Sequence, residues 1–153
     1  LVTAWVALSP SNQESGCMKM LPGSHLEGEK PHHDTFGKNN ILHRGQELEM
    51  EVDEDKTVSI ELQPGEASLH HGWVAHASRP NKSDDRRIGL SLQYLTPRMK
   101  QKKTESESAL LVRGQDRFNH FLREQVCTND FDPAMVTYQA ESEILKHEVY
   151  DTD

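Results

Sequence analysis

Short apolar runs, each stopped by a Pro-Gly pair or a Gly- and Asn-containing turn, recur along the first two thirds of the chain, and their two-residue period admits strands far more readily than helices. Residues 1–8 (LVTAWVAL) put Val2, Ala4, Val6 and Leu8 on one face and Leu1, Thr3, Trp5 and Ala7 on the other. Pro10 to Gly16 is a polar turn region. Cys17–Leu21 reads as a second strand, stopped by Pro22-Gly23. Residues 24–40 are polar and rich in Gly, His and Lys, and read as a long loop. Ile41–Val52 suggests one strand with a bulge at Gly45, and Thr57–Leu62 another strand before Pro64-Gly65. Ala67–Ala77 reads as one or two short strands, and Asn81–Asp85 as a hairpin loop. Arg87–Leu95 alternates most clearly of all: Ile88, Leu90, Leu92 and Tyr94 form a packing face, with Gly89, Ser91 and Gln93 opposite. Many short strands between turns predict an all-β sandwich or barrel.

The tail is different. Pro97 to Ser108 is charged and reads as a solvated linker. Residues 109–125 mix apolar and charged positions in a way that suggests a helical turn or helix. The last 25 residues are acidic and read as peripheral. We therefore expect residues 1–125 to form the β domain and 126–153 an acidic extension.

Charge and composition narrow the function. Seventeen Lys and Arg against 25 Asp and Glu give a net charge of −8, a poor basis for binding nucleic acid. No apolar run approaches the ~20 residues that span a bilayer, so no membrane association is expected. Two cysteines, Cys17 and Cys127, form no metal-ligand spacing or disulfide framework; both are expected to be buried thiols in a reducing, cytoplasmic setting. Oligomeric state is left open. Only 34% of residues are hydrophobic, a lean core for this length.

The nine histidines hold the chemistry, because three of them, His70, His71 and His76, fall within seven residues. Neutral imidazole is the commonest metal ligand near neutral pH. On a strand, His76 and Ser78 share a face, while His70 and His71 point to opposite faces. Arg87 follows His76 by eleven residues, beyond the Asn81–Asp85 turn. If the two flanking strands pair, Arg87 approaches the same face as His76. Its neighbours on that face are small or polar, so a guanidinium there calls for an anionic partner, and its planar fork suits a carboxylate. The same spacing also fits an Arg at a strand start whose head reaches solvent.

The run HHGWVAHASRPNKSDDRRIGLSLQY resembles the distal half of the active site of the phytanoyl-CoA dioxygenase family. Four further stretches match in order: VTAWVALSPSNQESGCMKMLPGSH, NILHRGQ, LQPGEASLHHG and ALLVRGQD, so the resemblance covers about residues 1–122. It implies an incomplete double-stranded β-helix, or jelly roll, with a minor helical or irregular C-terminal segment. It also implies an Fe(II)/2-oxoglutarate-dependent dioxygenase that uses O2 to hydroxylate a small organic substrate. His76 then corresponds to the distal iron ligand, with Ala77 in place of the family's usual Gly. Ser78 and Arg87 correspond to the positions that hold the far carboxylate of 2-oxoglutarate. Trp5 corresponds to an aromatic beside that cosubstrate, Thr3 shares its face, and His71 matches a site-lining position.

The family completes its iron site with an H-x-D pair ahead of the Trp5 strand. No such pair precedes Trp5 here, which suggests an N-terminally truncated fragment, inactive alone. In-chain substitutes would be His32 with Asp34, or His25 with Glu27. The rival readings are a jelly-roll module that binds a small carboxylate without turnover, and a cupin-like metal protein using His70, His71 and His76.

Overall fold

The computed structural model describes residues 1–36, 45–104 and 107–150, and divides into two compact units, Leu1–Tyr94 and Leu95–Asp153. In the first unit β1 (Val2–Ala7) is the centre of a three-stranded antiparallel sheet, with β6 (Ala67–His71) on one side and β8 (Gly89–Tyr94) on the other. A second antiparallel sheet has β2 (Met18–Met20) at its centre, between β5 (Val58–Ser59) and β7 (His76–Ser78). A hairpin of β3 (His32–Asp34) and β4 (Gln46–Leu48) stands between β2 and β5 in the chain. Apart from that hairpin the strands pass from sheet to sheet: β1 in the larger, β2 and β5 in the smaller, then β6, β7 and β8 in alternation. This is the winding of a double-stranded β-helix, carried by six strands among the described residues.

Register fixes which side chains meet. Trp5 lies opposite Ser68 and Ser91, and Thr3 opposite His70 and Gln93. In the smaller sheet Met18 faces Ser78 and Met20 faces His76. Met18, Met20 and Val74 form the buried cluster, with Trp5 and Ile60 packed against it. Trp5 therefore turns the face bearing Thr3, Ser68, His70 and Ser91 inward, toward the face of the smaller sheet that bears Met18, Met20, His76 and Ser78. The core is as small as the composition implies.

The opposite face of the larger sheet departs from expectation. Leu90, Leu92 and Tyr94 alternate as a packing face should, yet they are 47%, 37% and 46% exposed, and Leu69 is 76% exposed. Period-two patterning reports which residues share a face; it does not supply the layer that covers it.

Four local expectations are corrected, and a fifth, the peripheral acidic tail, gains a helix. The polar stretch after Gly23 holds a 3-10 turn at Ser24–Glu27 and then β3, because the β3–β4 ladder satisfies a backbone whose side chains carry no apolar alternation. The strand expected over Ile41–Val52 is confined to Gln46–Leu48 among the described residues; Ile41–Arg44, most of the NILHRGQ stretch, lies outside them. In the second unit, residues 109–125 contain no helix. Ser108–Ala109 (β9) and Leu122–Arg123 (β10) form a short parallel pair instead. The acidic tail is a helix, α1 (Pro133–Tyr150), begun by Asp132, whose carboxylate accepts the Ala134 N–H at 3.0 Å, and by Pro133 in the first turn. Cys127 is exposed rather than buried, and its thiol donates to the Asn129 carbonyl. Among the described residues no helix is long and apolar enough to cross a membrane.

Candidate active site between the two sheets

Arg87 comes one residue before Ile88 and two before β8, and its guanidinium carbon sits 5.5 Å from the centre of the Trp5 ring. Gly89 makes that stacking possible. A Cβ at Gly89 would lie 2.0 Å from Trp5 Cζ2, so the indole occupies the space that any other residue would fill. Arg87 Nη1 is buried and has no hydrogen-bond partner. A buried guanidinium nitrogen left unpaired is costly, so the arrangement is poised for an anion. The charge is felt nearby. Burial pushes the Cys17 thiol up from its ordinary value, Glu61 adds to the rise, and Arg87 opposes it.

His76 opens β7. Its Nδ1 lies 2.9 Å from the Val74 carbonyl, an acceptor only, so the proton is on Nδ1 and Nε2 keeps its lone pair. That second-shell hydrogen bond is the arrangement found behind metal-ligating imidazoles. A hydroxyl holds the same segment from below: Ser24 Oγ accepts the Ala75 N–H at 2.8 Å and donates to the Leu21 carbonyl at 2.8 Å. Ser24 is 4% exposed, which gives the PGSH stretch a structural purpose.

The sequence reading placed Arg87 beside His76 by pairing their strands. The structure does not pair them. β7 belongs to the smaller sheet and β8 to the larger, and Asn81–Asp85 crosses between sheets rather than closing a hairpin. Asn81 organises that crossing: its side chain accepts from the Ser83 N–H and hydroxyl and donates to the Asp85 carbonyl. Arg87 reaches the interior over Trp5, whereas His76, an exposed residue, lies across from Met20 in the other sheet. Ser78, two residues beyond His76, shares its wall.

His70 and His71 separate as alternation requires. His70 points inward, its ring 5.8 Å from that of His76, and burial followed by the His76 charge lowers its pKa from the ordinary histidine value. His71 points the other way, among His25 (5.3 Å) and Trp73 (5.4 Å), and so does not share the Trp5 face. The inward residue of the pair is His70, which the sequence offered as a ligand only in the cupin-like reading, whereas His71 matched the site-lining position. Among the described residues no group of three His, Cys, Asp or Glu side chains converges as a metal site. His32 and Asp34 lie on β3, paired with β4 rather than with either three-stranded sheet, and His32 lines the same cavity as His76.

Comparisons with known proteins bear on the family and the fold. The family model described as phytanoyl-CoA dioxygenase (PhyH) matches residues 1–89. A zebrafish (Danio rerio) phytanoyl-CoA dioxygenase domain-containing protein 1 is 35% identical over 85 residues, 52% of this chain and 28% of its own length. The 1-deoxypentalenic acid 11-beta-hydroxylase of Streptomyces arenae is 31% identical over 86 residues, 54% of this chain and 30% of its own. The solved structure of the apo non-heme monooxygenase ThoJ is 37% identical with a TM-score of 0.78, covering 92% of this chain and 50% of ThoJ. The chain thus spans under a third of these two curated relatives and half of ThoJ.

Proposed function

The chain belongs to the phytanoyl-CoA dioxygenase family, and on that footing we propose that the protein is an Fe(II)- and 2-oxoglutarate-dependent dioxygenase that hydroxylates a small organic substrate with O2. The observation that carries the reading is the buried, unpartnered Nη1 of Arg87 stacked on Trp5, facing the wall that presents His76. A guanidinium with an unpaired buried nitrogen suits a carboxylate.

The residues divide the work by chemistry. His76, with Nδ1–H fixed on the Val74 carbonyl, offers Nε2 to iron. Among the described residues no group of three His, Cys, Asp or Glu side chains forms around it. Arg87 takes the far carboxylate of 2-oxoglutarate through a charge-assisted hydrogen bond, and the Ser78 hydroxyl adds to it from the opposite wall. Trp5 keeps the guanidinium in place by cation–π contact and excludes water from one side of it. Bound iron and 2-oxoglutarate supply the oxidising power, with the 2-oxo acid converted to succinate and CO2 as one oxygen atom of O2 enters the substrate.

The test is O2-dependent conversion of 2-oxoglutarate to succinate by the full-length protein with Fe(II). Turnover in the parent and its loss in His76→Ala support the reading. Equal turnover in His76→Ala excludes His76 as a ligand. Binding of 2-oxoglutarate with no succinate under any condition favours a non-catalytic binding module.

A further inference from the structure

Near the two anchors already described, an inward-facing imidazole has no assigned task. His70 lies on β6 directly across from Thr3, on the Trp5 face of the larger sheet. Its ring centre is 5.8 Å from that of His76 on the opposite wall. Arg87 stands at the other end of the same interior, over Trp5. Resting on the reading above, we propose that His70 is a binding residue for the 2-oxo acid end of the cosubstrate, hydrogen-bonding its metal-proximal carboxylate beside His76.

One contact bears on how His70 would act. Ser68 Oγ lies 3.4 Å from His70 Nδ1. In the tautomer where that hydroxyl donates to Nδ1, Nε2–H is a free donor, which a carboxylate accepts and a cation does not. The site then reads a 2-oxo dicarboxylic acid at both ends: His70 at the oxo-acid end, Arg87 at the far carboxylate. The two contributions are separable with ligands that carry only one end.

The experiment measures anaerobic dissociation constants for the Fe(II)-loaded full-length protein with two probes. These are 2-oxoglutarate and 2-oxobutyrate, which keeps the oxo-acid end and lacks the far carboxylate. Fe(II) affinity without either probe is measured in parallel. His70→Ala is expected to weaken both probes about tenfold, the size of one lost hydrogen bond to a charged group, with Fe(II) affinity unchanged. His70→Gln, whose amide N–H reaches a similar point, is expected to recover most of that loss; a role in packing alone predicts no such rescue. Unchanged affinity for both probes in His70→Ala overturns the proposal. Loss of Fe(II) affinity in His70→Ala also overturns it, because His70 would then be a ligand. Failure of the parent to bind either probe would instead defeat the functional reading on which the proposal rests.

Discussion

Gly89 and Trp5 show how one missing Cβ shapes the site. The indole rests where an alanine methyl would be, with 2.0 Å between that position and Trp5 Cζ2. Gly89→Ala must push the ring away from β8, and with it the guanidinium stacked on its face. The expected cost is about 1–3 kcal/mol of stability from overpacking, read as a lower urea midpoint at unchanged slope, together with weaker 2-oxoglutarate binding. An unchanged midpoint would mean that Trp5 repacks freely. From the sequence Gly89 was legible only as a small residue in a strand. Its partner across β1 could not be read, because register between strands far apart in sequence is a tertiary property. The inward place of His70 was not legible for a related reason: alternation says that His70 and His71 part company, but not which of them faces in.

Elements that look like punctuation in the sequence turn out to carry hydrogen bonds. The turn after Pro22-Gly23 places the Ser24 hydroxyl on the Ala75 N–H, one residue from His76. Ser24→Ala leaves that buried donor unpaired and is expected to cost about 1–3 kcal/mol, measured by denaturant unfolding. A loss within the ±0.5 kcal/mol usual for surface substitutions would show that water replaces the hydroxyl. The smaller sheet is also tied electrostatically. Lys19 on β2 and Arg79 just after β7 both contact Glu54 in its 3-10 turn. The Lys19 hydrogen bond and charge hold the Glu54 carboxyl below its ordinary value, with a smaller contribution from Arg79. A lowered carboxylate pKa means stability that is present above the unfolded value of about 4.3 and lost as pH falls below it. Glu54→Gln should therefore be less destabilised than the parent between pH 5 and pH 3, and parallel pH profiles would remove Glu54 from that role.

The strands over residues 1–8, 17–21, 67–77 and 87–95 were legible because each carries its own period, and the Asp132-Pro133 start of α1 was present as a capping signal though the tail read only as acidic. The passage of β7 and β8 into different sheets was not legible. A five-residue polar turn between two strands serves a hairpin and a crossing equally well.

At the scale of the whole molecule, two walls from two sheets make one interior. The candidate site therefore depends on the winding rather than on any single strand, because Arg87 precedes a strand of one sheet and His76 opens a strand of the other. The face of the larger sheet turned away from that interior carries exposed Leu69, Leu90 and Tyr94, so the apolar patterning of the chain is not exhausted by the contacts within Leu1–Tyr94. The net charge of −8 adds no general attraction for a dicarboxylate, which leaves selectivity for that ligand to local groups, foremost the guanidinium on Trp5.

The most direct measurement is a comparison of 2-oxoglutarate with 2-oxobutyrate binding, in the Fe(II)-loaded full-length parent and in Arg87→Gln. A far carboxylate held by the buried guanidinium predicts that the parent prefers 2-oxoglutarate by about a hundredfold, in line with the 2–5 kcal/mol cost of truncating one partner of a buried charge pair, and that Arg87→Gln loses this preference while its affinity for 2-oxobutyrate stays the same. Retention of the full preference by Arg87→Gln would contradict it.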